Sequence, residues 1–218
     1  SSSFGYGSAM KENLAGIEDY TRIGSLLQPE QIVKYGELTL RENQIAYAEP
    51  SFFRLFDFEL LKGDKKTCLS MPGQVVITER IASKYFKDED PIGKIFIFTG
   101  AYDKISCEVT GVMKEMPSNS HIHYSFLISY KSLPKYMQEY WYKHEAYTYV
   151  LLDSPERKAE IEREFPVMAE KYKTDEALKN KTWGVSLIPL ADIHLTPQVG
   201  YEAETKGNRS SMIALIFA

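Results

Sequence analysis

The last third of the chain carries the tightest constraint on the fold: a strand, a helix and a strand in immediate succession. Tyr147 to Leu152 is rich in β-branched and aromatic residues and reads as a strand. Ser154-Pro155 then offers a helix start, with serine as N-cap and proline at the first helical position. Ile161, Phe165, Met168 and Tyr172 trace one helical face. Pro166 lies inside that pattern and is expected to kink or split the helix. Val185 to Leu190 reads as the closing strand, completing a βαβ unit.

Upstream, the chain alternates between short strands and shorter helices. Met10, Leu14 and Ile17 fall at helical spacing and predict a short amphipathic helix. Residues 20–27 and 31–48 read as extended, with turn signals at Gln28-Pro29 and Glu42-Asn43. A dense aromatic stretch holds Phe52, Phe53, Phe56 and Phe58 and ends at a turn, Lys62-Gly63-Asp64. Gln74 to Ile77 is an apolar strand. Thr78 follows as a helix cap, because its hydroxyl can accept an orphan backbone N–H. Ile81, Ala82 and Tyr85 share one side of that helix, which Asp88 to Gly93 breaks. Residues 94–99 and 105–113 suggest a hairpin about Gly100-Ala101-Tyr102-Asp103, and 123–130 a further strand.

Composition excludes several classes. Of 218 residues, 44% are hydrophobic and 26% charged, enough apolar surface for a packed core. The net charge is −4, with both signs mixed, so there is no basic stripe for nucleic acid or anionic lipid. Cys68 and Cys107 fit either one bridge or two free thiols. The first residues, Ser1 to Gly5, lack the basic start and apolar centre of a signal peptide. Met212 to Ala218 is an uncharged apolar run. It is far shorter than the about 20 residues of a membrane span, so composition leaves two readings: a last strand or helix end, or the opening third of a span.

Chemistry-bearing motifs are sparse. His121-x-His123 would place two imidazoles on one strand face, but a zinc site needs three or four convergent ligands, and the others would have to come from His144, His194 or a distant carboxylate. No Gly-x-Ser-x-Gly elbow and no phosphate-binding Gly-x-x-x-x-Gly-Lys-Ser/Thr loop is present. Gly5-x-Gly7 lacks the third glycine and the preceding strand of a dinucleotide fingerprint. Glu89/Asp90 and Glu162/Glu164 lie in charged runs typical of solvated faces. Tyr136, Tyr140, Trp141, Tyr142, Tyr147 and Tyr149 form an aromatic patch, which suits either ordinary packing or a sugar-stacking surface.

Four stretches stand in order: Ser51 to Asp64 (SFFRLFDFELLKGD), Val75 to Phe86 (VVITERIASKYF), Asp90-Pro91-Ile92-Gly93-Lys94, and Val109 to His121 (VTGVMKEMPSNSH). Taken together, they resemble the MacB-like periplasmic core domain of FtsX-like ABC transporter permeases. Leu190-Ala191-Asp192-Ile193-His194-Leu195 is similar to the family's closing strand. The resemblance covers about residues 50–130, with looser agreement outside. Its structural signature positions here are Phe53, Phe56, Gly63, Thr78, Glu79, Ala82, Phe86, Pro91, Gly93, Gly111 and Pro117.

The resemblance implies an α+β fold of two subdomains. A porter-like βαβ subdomain would come from residues 1–48 and 131–211. An inserted mixed-β, sabre-like subdomain would span 49–130, and residues 212–218 would open a membrane helix. The implied parent is a bacterial inner-membrane permease, with this domain in the periplasm. It would work with a cytoplasmic ATPase subunit or domain through its membrane helices, with a second permease copy, and with a periplasmic protein or lipoprotein. The domain itself would pass on ATP-driven motion, with no catalytic residue, cofactor, metal or nucleic acid of its own. The alternative is a freestanding glycan- or ligand-binding module of the cell envelope; a metal-dependent hydrolase built on His121 and His123 is a third reading.

Overall fold

The structure, a computed structural model, describes residues 1–24, 30–100, 104–141, 144–173, 179–180, 182–195 and 211–217. In chain order its elements are α1 (Tyr6–Asn13), β1 (Ile17–Gly24), β2 (Gln31–Tyr35), β3 (Leu38–Glu42), β4 (Ile45–Ala48), α2 (Phe52–Leu55), β5 (Leu60–Lys62), β6 (Gln74–Thr78), α3 (Glu79–Phe86), β7 (Ile95–Thr99), β8 (Lys104–Met113), β9 (Phe126–Ser129), α4 (Lys135–Gln138), β10 (Ala146–Leu152), α5 (Arg157–Ala169), β11 (Val185–Pro189) and β12 (Ser211–Phe217). The fold is α+β, and the chain divides into two compact units. One comprises Ser1–Arg22 and Tyr136–Ala218, the other Ile23–Lys135. The stretch 23–48, grouped with the chain ends by sequence, falls in the second unit.

In the first unit the strands run β11-β12-β10-β1. Strand β12 pairs parallel with β10 on one side and with β11 on the other. Helix α5 links β10 to β11, as the βαβ pattern predicts, and its apolar face supplies Ile161, Phe165 and Met168 to a core shared with Met10, Val150 and Leu187. Burying side chains of this size contributes about 1.5–3 kcal/mol each.

Several local expectations shift. Helix α1 stops at Asn13 because Leu14 is already extended and Gly16 takes a φ of +83°; Ile17 opens β1 instead of closing the helix. Ser154-Pro155 forms a turn before α5 rather than its cap: the Arg157 N–H reaches the Ser154 carbonyl at 3.3 Å, and Glu156 occupies the cap position without a side-chain capping bond. A proline's fixed φ suits either place. Helix α5 is not split by Pro166 but continues to Ala169, since Phe165, Met168 and Ala169 are buried on both sides of the proline. Leu190–Leu195 forms 3-10 turns rather than a strand, immediately after Pro189. Ser211–Phe217 is a strand, not a helix start. A short apolar run has no strong preference of its own, and flanking ladders on both sides satisfy its backbone.

In the second unit the order is β4-β9-β6-β8-β7-β2-β3, with β5 beside β8. Pairs β4/β9 and β6/β8 are parallel, while β9/β6, β8/β7, β7/β2 and β2/β3 are antiparallel. The last residues of β1, Ile23 and Gly24, pair with Ala48 and Tyr47. Phe96 and Phe98 of β7, Phe126 of β9 and Tyr35 of β2 meet Tyr85 and Phe86 from α3, with ring centroids 4.6–6.0 Å apart across this group. Such aromatic pairs add about 0.5–1.5 kcal/mol each beyond area burial.

Candidate functional site

The four signature stretches converge in the second unit on one framework of bulge, cap and turns. Between Val75 and Val76 the β6/β8 register slips, so that Val75 faces Val109 and Val76 faces Gly111, leaving Thr110 as the extra residue. The Thr110 hydroxyl donates to the Cys68 carbonyl at 2.6 Å. Strand β5 pairs here, Leu60 with Met113 and Lys62 with Val112. Gly63 leaves that strand with a φ of +96°. A Cβ on it would overlap the Thr110 carbonyl and lie 3.0 Å from Gly111 Cα. Gly111 is less tightly confined, with Val76 Cγ2 3.1 Å from where its Cβ would stand.

Thr78 caps α3 as expected: its hydroxyl accepts the Ile81 N–H at 3.4 Å. Glu79 is exposed in the first turn, where a carboxylate favours the positive helix end, and it also accepts the Glu115 N–H at 3.5 Å. Ala82 is half-buried and Phe86 buried. Pro91 is buried; its carbonyl accepts the Lys94 N–H, and Gly93, at φ +80°, donates to Val109 O at 2.9 Å. Lys62 Nζ lies 3.0 Å from Asp90, holding that carboxyl below its ordinary range and tying the turn to β5. Phe53 and Phe56 are buried in a second aromatic group around Phe52, which stacks on Phe58 at 5.6 Å. Pro117 is exposed and opens the turn closed by Ser120.

Other candidates come apart or become core. His121 and His123 precede β9 rather than lying on it, so strand alternation does not align them; the His121 ring rests 6.2 Å from Phe56, and His123 is exposed. His194 has no described side chain. Among the described residues no three His, Cys, Asp or Glu side chains are grouped to hold a metal. Cys68 and Cys107 are free and buried, and burial pushes their thiols up to about 11 and about 12. A thiol so far from ionising is a poor nucleophile.

The aromatic patch comes apart: Trp141 and Tyr149 are core, and Tyr140 and Tyr147 are half-buried. Trp141, 8% exposed, stacks on Tyr172 at 4.4 Å and on Trp183 at 5.1 Å, with Tyr6 tilted against it at 4.9 Å. Tyr149 is buried, Tyr136 is open, and Tyr142 lies outside the described residues. A buried indole offers no face to a sugar. Gly5 and Gly7 find their use here: Gly5 seats the Trp141 ring and Gly7 the Tyr20 ring, 2.5 Å from a would-be Cβ.

Two buried charges escape sequence reading. Glu42 accepts from Lys84 at 2.6 Å and from the Tyr85 hydroxyl at 2.8 Å; burial, then that hydrogen bond, push the Tyr85 hydroxyl well up. Arg22 sits under α1 with its guanidinium among backbone carbonyls. Neither carries a motif in sequence: Arg22 is one charge in an extended stretch, and Glu42 stands beside Arg41 at a turn signal.

The residues that converge are those of the resemblance, and the family model for the MacB-like periplasmic core domain matches residues 2–166. The chain belongs to this family. It is therefore an extracytoplasmic domain of the kind carried by MacB-like ABC transporter permeases, the periplasmic part of an inner-membrane protein. Three solved structures share the fold. A domain assigned as a permease protein from Porphyromonas gingivalis superposes with a TM-score of 0.67 at 22% identity, over 80% of this chain and 79% of that one. The periplasmic region of MacB from Actinobacillus actinomycetemcomitans gives 0.55 at 15%, over 76% and 72%. The extracellular domain of the noncanonic ABC-type transporter YknZ from Gram-positive bacteria gives 0.52 at 17%, over 78% and 85%. No curated protein matches the chain. No described helix is long and apolar enough to cross a membrane.

Proposed function

We propose that this domain is a mechanical part of its permease rather than an enzyme. ATP binding by a cytoplasmic ATPase subunit or domain would move the parent's membrane helices, and this domain would pass the motion to a periplasmic protein, lipoprotein or substrate, with a second permease copy alongside. The first unit takes the porter-like role and the second the sabre-like one. The observation that carries this reading is where the signature residues are spent. Gly63, Thr78, Pro91, Gly93 and Gly111 hold a bulge, a cap and turns together. Residues spent in this way support a rigid shape, which a body that transmits displacement requires.

The test is a distance measurement in the full permease with its ATPase, in lipid. Spin labels at Glu12→Cys and Met71→Cys place one probe in each unit, at exposed positions. Addition of a non-hydrolysed ATP analogue is expected to shift the distance distribution. An unchanged distribution, with nucleotide binding intact, counts against mechanotransmission.

A further inference from the structure

Arg22 is the last residue of the first unit before the chain passes into the second, and the chain returns after Lys135. Its side chain is 4% exposed, and one guanidinium nitrogen gathers several partners. Nη1 donates to the Phe4 carbonyl at 2.5 Å and to the Gln138 carbonyl at 2.9 Å, and pairs with the Glu139 carboxylate at 3.2 Å. The Ser8 hydroxyl, 3.5 Å from the same nitrogen, bonds Glu139 in turn. The Tyr20 ring lies 5.3 Å from the guanidinium carbon. Around this point the N-terminal segment is stitched to the returning chain: Gly5 N–H to Tyr140 O at 3.0 Å, Ser3 hydroxyl to the same carbonyl, and Ala146 N–H to Ser2 O at 3.1 Å.

A buried charge is costly unless it is paired and hydrogen-bonded, and a hydrophobic residue of similar size often serves stability as well. Here one charged nitrogen, Nη1, serves Phe4 O, Gln138 O and the Glu139 carboxylate at once, which no apolar side chain can do. The acceptors here come from two stretches, the chain's first residues (Phe4) and the returning segment (Gln138, Glu139), while Arg22 itself stands at the outgoing crossing. We infer that Arg22 is a tie that makes residues 2–8, the outgoing crossing at 22–23 and the returning segment 136–141 move as one piece. A pull on the first residues then reaches both crossings instead of being absorbed between them. The purpose of the tie rests on the mechanotransmission reading; its geometry does not.

Hydrogen exchange on the 218-residue chain tests the tie directly. In Arg22→Met, protection at the Gly5, Tyr140 and Ala146 amides is expected to fall together by at least about tenfold, with Val75–Ile77 of β6 unchanged. Arg22→Lys keeps the charge and brings three N–H donors on a shorter, more strongly hydrated side chain. It is expected to loosen the same amides to a smaller extent. Loss confined to one stretch, or Arg22→Met matching the unsubstituted protein, overturns the tie. In the full permease, Arg22→Met is expected to abolish or broaden the nucleotide-driven shift between labels at positions 12 and 71. A shift equal to that of the unsubstituted protein overturns the coupling role. If the unsubstituted protein itself shows no shift, the mechanotransmission reading falls, while the exchange result still decides the tie.

Discussion

Gly63 is the residue whose identity the backbone most dictates. Its φ of +96° suits only glycine, and a Cβ would meet backbone rather than a movable side chain. Gly63→Ala is expected to destabilise the second unit by about 2–3 kcal/mol, combining left-handed strain with displacement of β8. The urea midpoint for exposure of the Cys68 and Cys107 thiols reads this, and an unchanged midpoint would show that β5 can slide away freely. The two thiols also set an alkaline limit. In the unfolded chain they titrate near the ordinary 9.0, but in the folded protein only at about 11 and about 12. Between those values the unfolded state has released protons that the folded state keeps. Their contribution to stability is whole below pH 9 and is lost as pH rises through the folded values. Tyr85, held up by burial and Glu42, acts in the same direction. Urea midpoints are expected to be lower at pH 10.5 than at pH 8, and the difference to shrink in the Cys68→Ala/Cys107→Ala double variant.

Among the elements, α5 shows local preference yielding to packing. Proline in a helix interior removes one hydrogen bond and crowds the carbonyl four residues back. The helix tolerates this because Ile161, Phe165, Met168 and Ala169 lock its inner face to the first unit's core. Pro166→Ala is expected to raise stability by about 1–3 kcal/mol, seen as a higher midpoint for tryptophan emission. A lower midpoint would mean that the proline fixes a bend on which the core depends. Element types were well signalled where periodicity is strong: α3 with its Thr78 cap, the β7/β8 hairpin, and the β10-α5-β11 succession all lie where the pattern predicts. Boundaries shifted where glycine or proline had two uses. Gly16 ended a helix that apolar spacing alone would have carried to Ile17, and Pro155 served a turn instead of a first helical position.

For the whole molecule, the two units carry their own cores and are joined by two chain crossings, after Arg22 and after Lys135. Trp141 and Trp183 are both in the first unit, and Cys68 and Cys107 both in the second. Tryptophan emission and thiol exposure therefore report one unit each. Their urea transitions are expected not to coincide, as for bodies that unfold separately. Coincident transitions would show a single cooperative unit.

The sequence by itself determined the family, the α+β class and most elements, because these rest on local rules: periodicity, caps, turn glycines and four ordered stretches. It did not reveal that Gly63, Thr110 and Gly111 meet at one bulge. Only the tertiary structure decided that meeting, the burial of Trp141 against Gly5, and the burial of Arg22 and Glu42. It also turned the apolar run at 211–217 into a strand between β10 and β11. Each depends on partners brought from tens of residues away, and a side chain's burial or a short run's conformation is set by those neighbours, which no local pattern encodes.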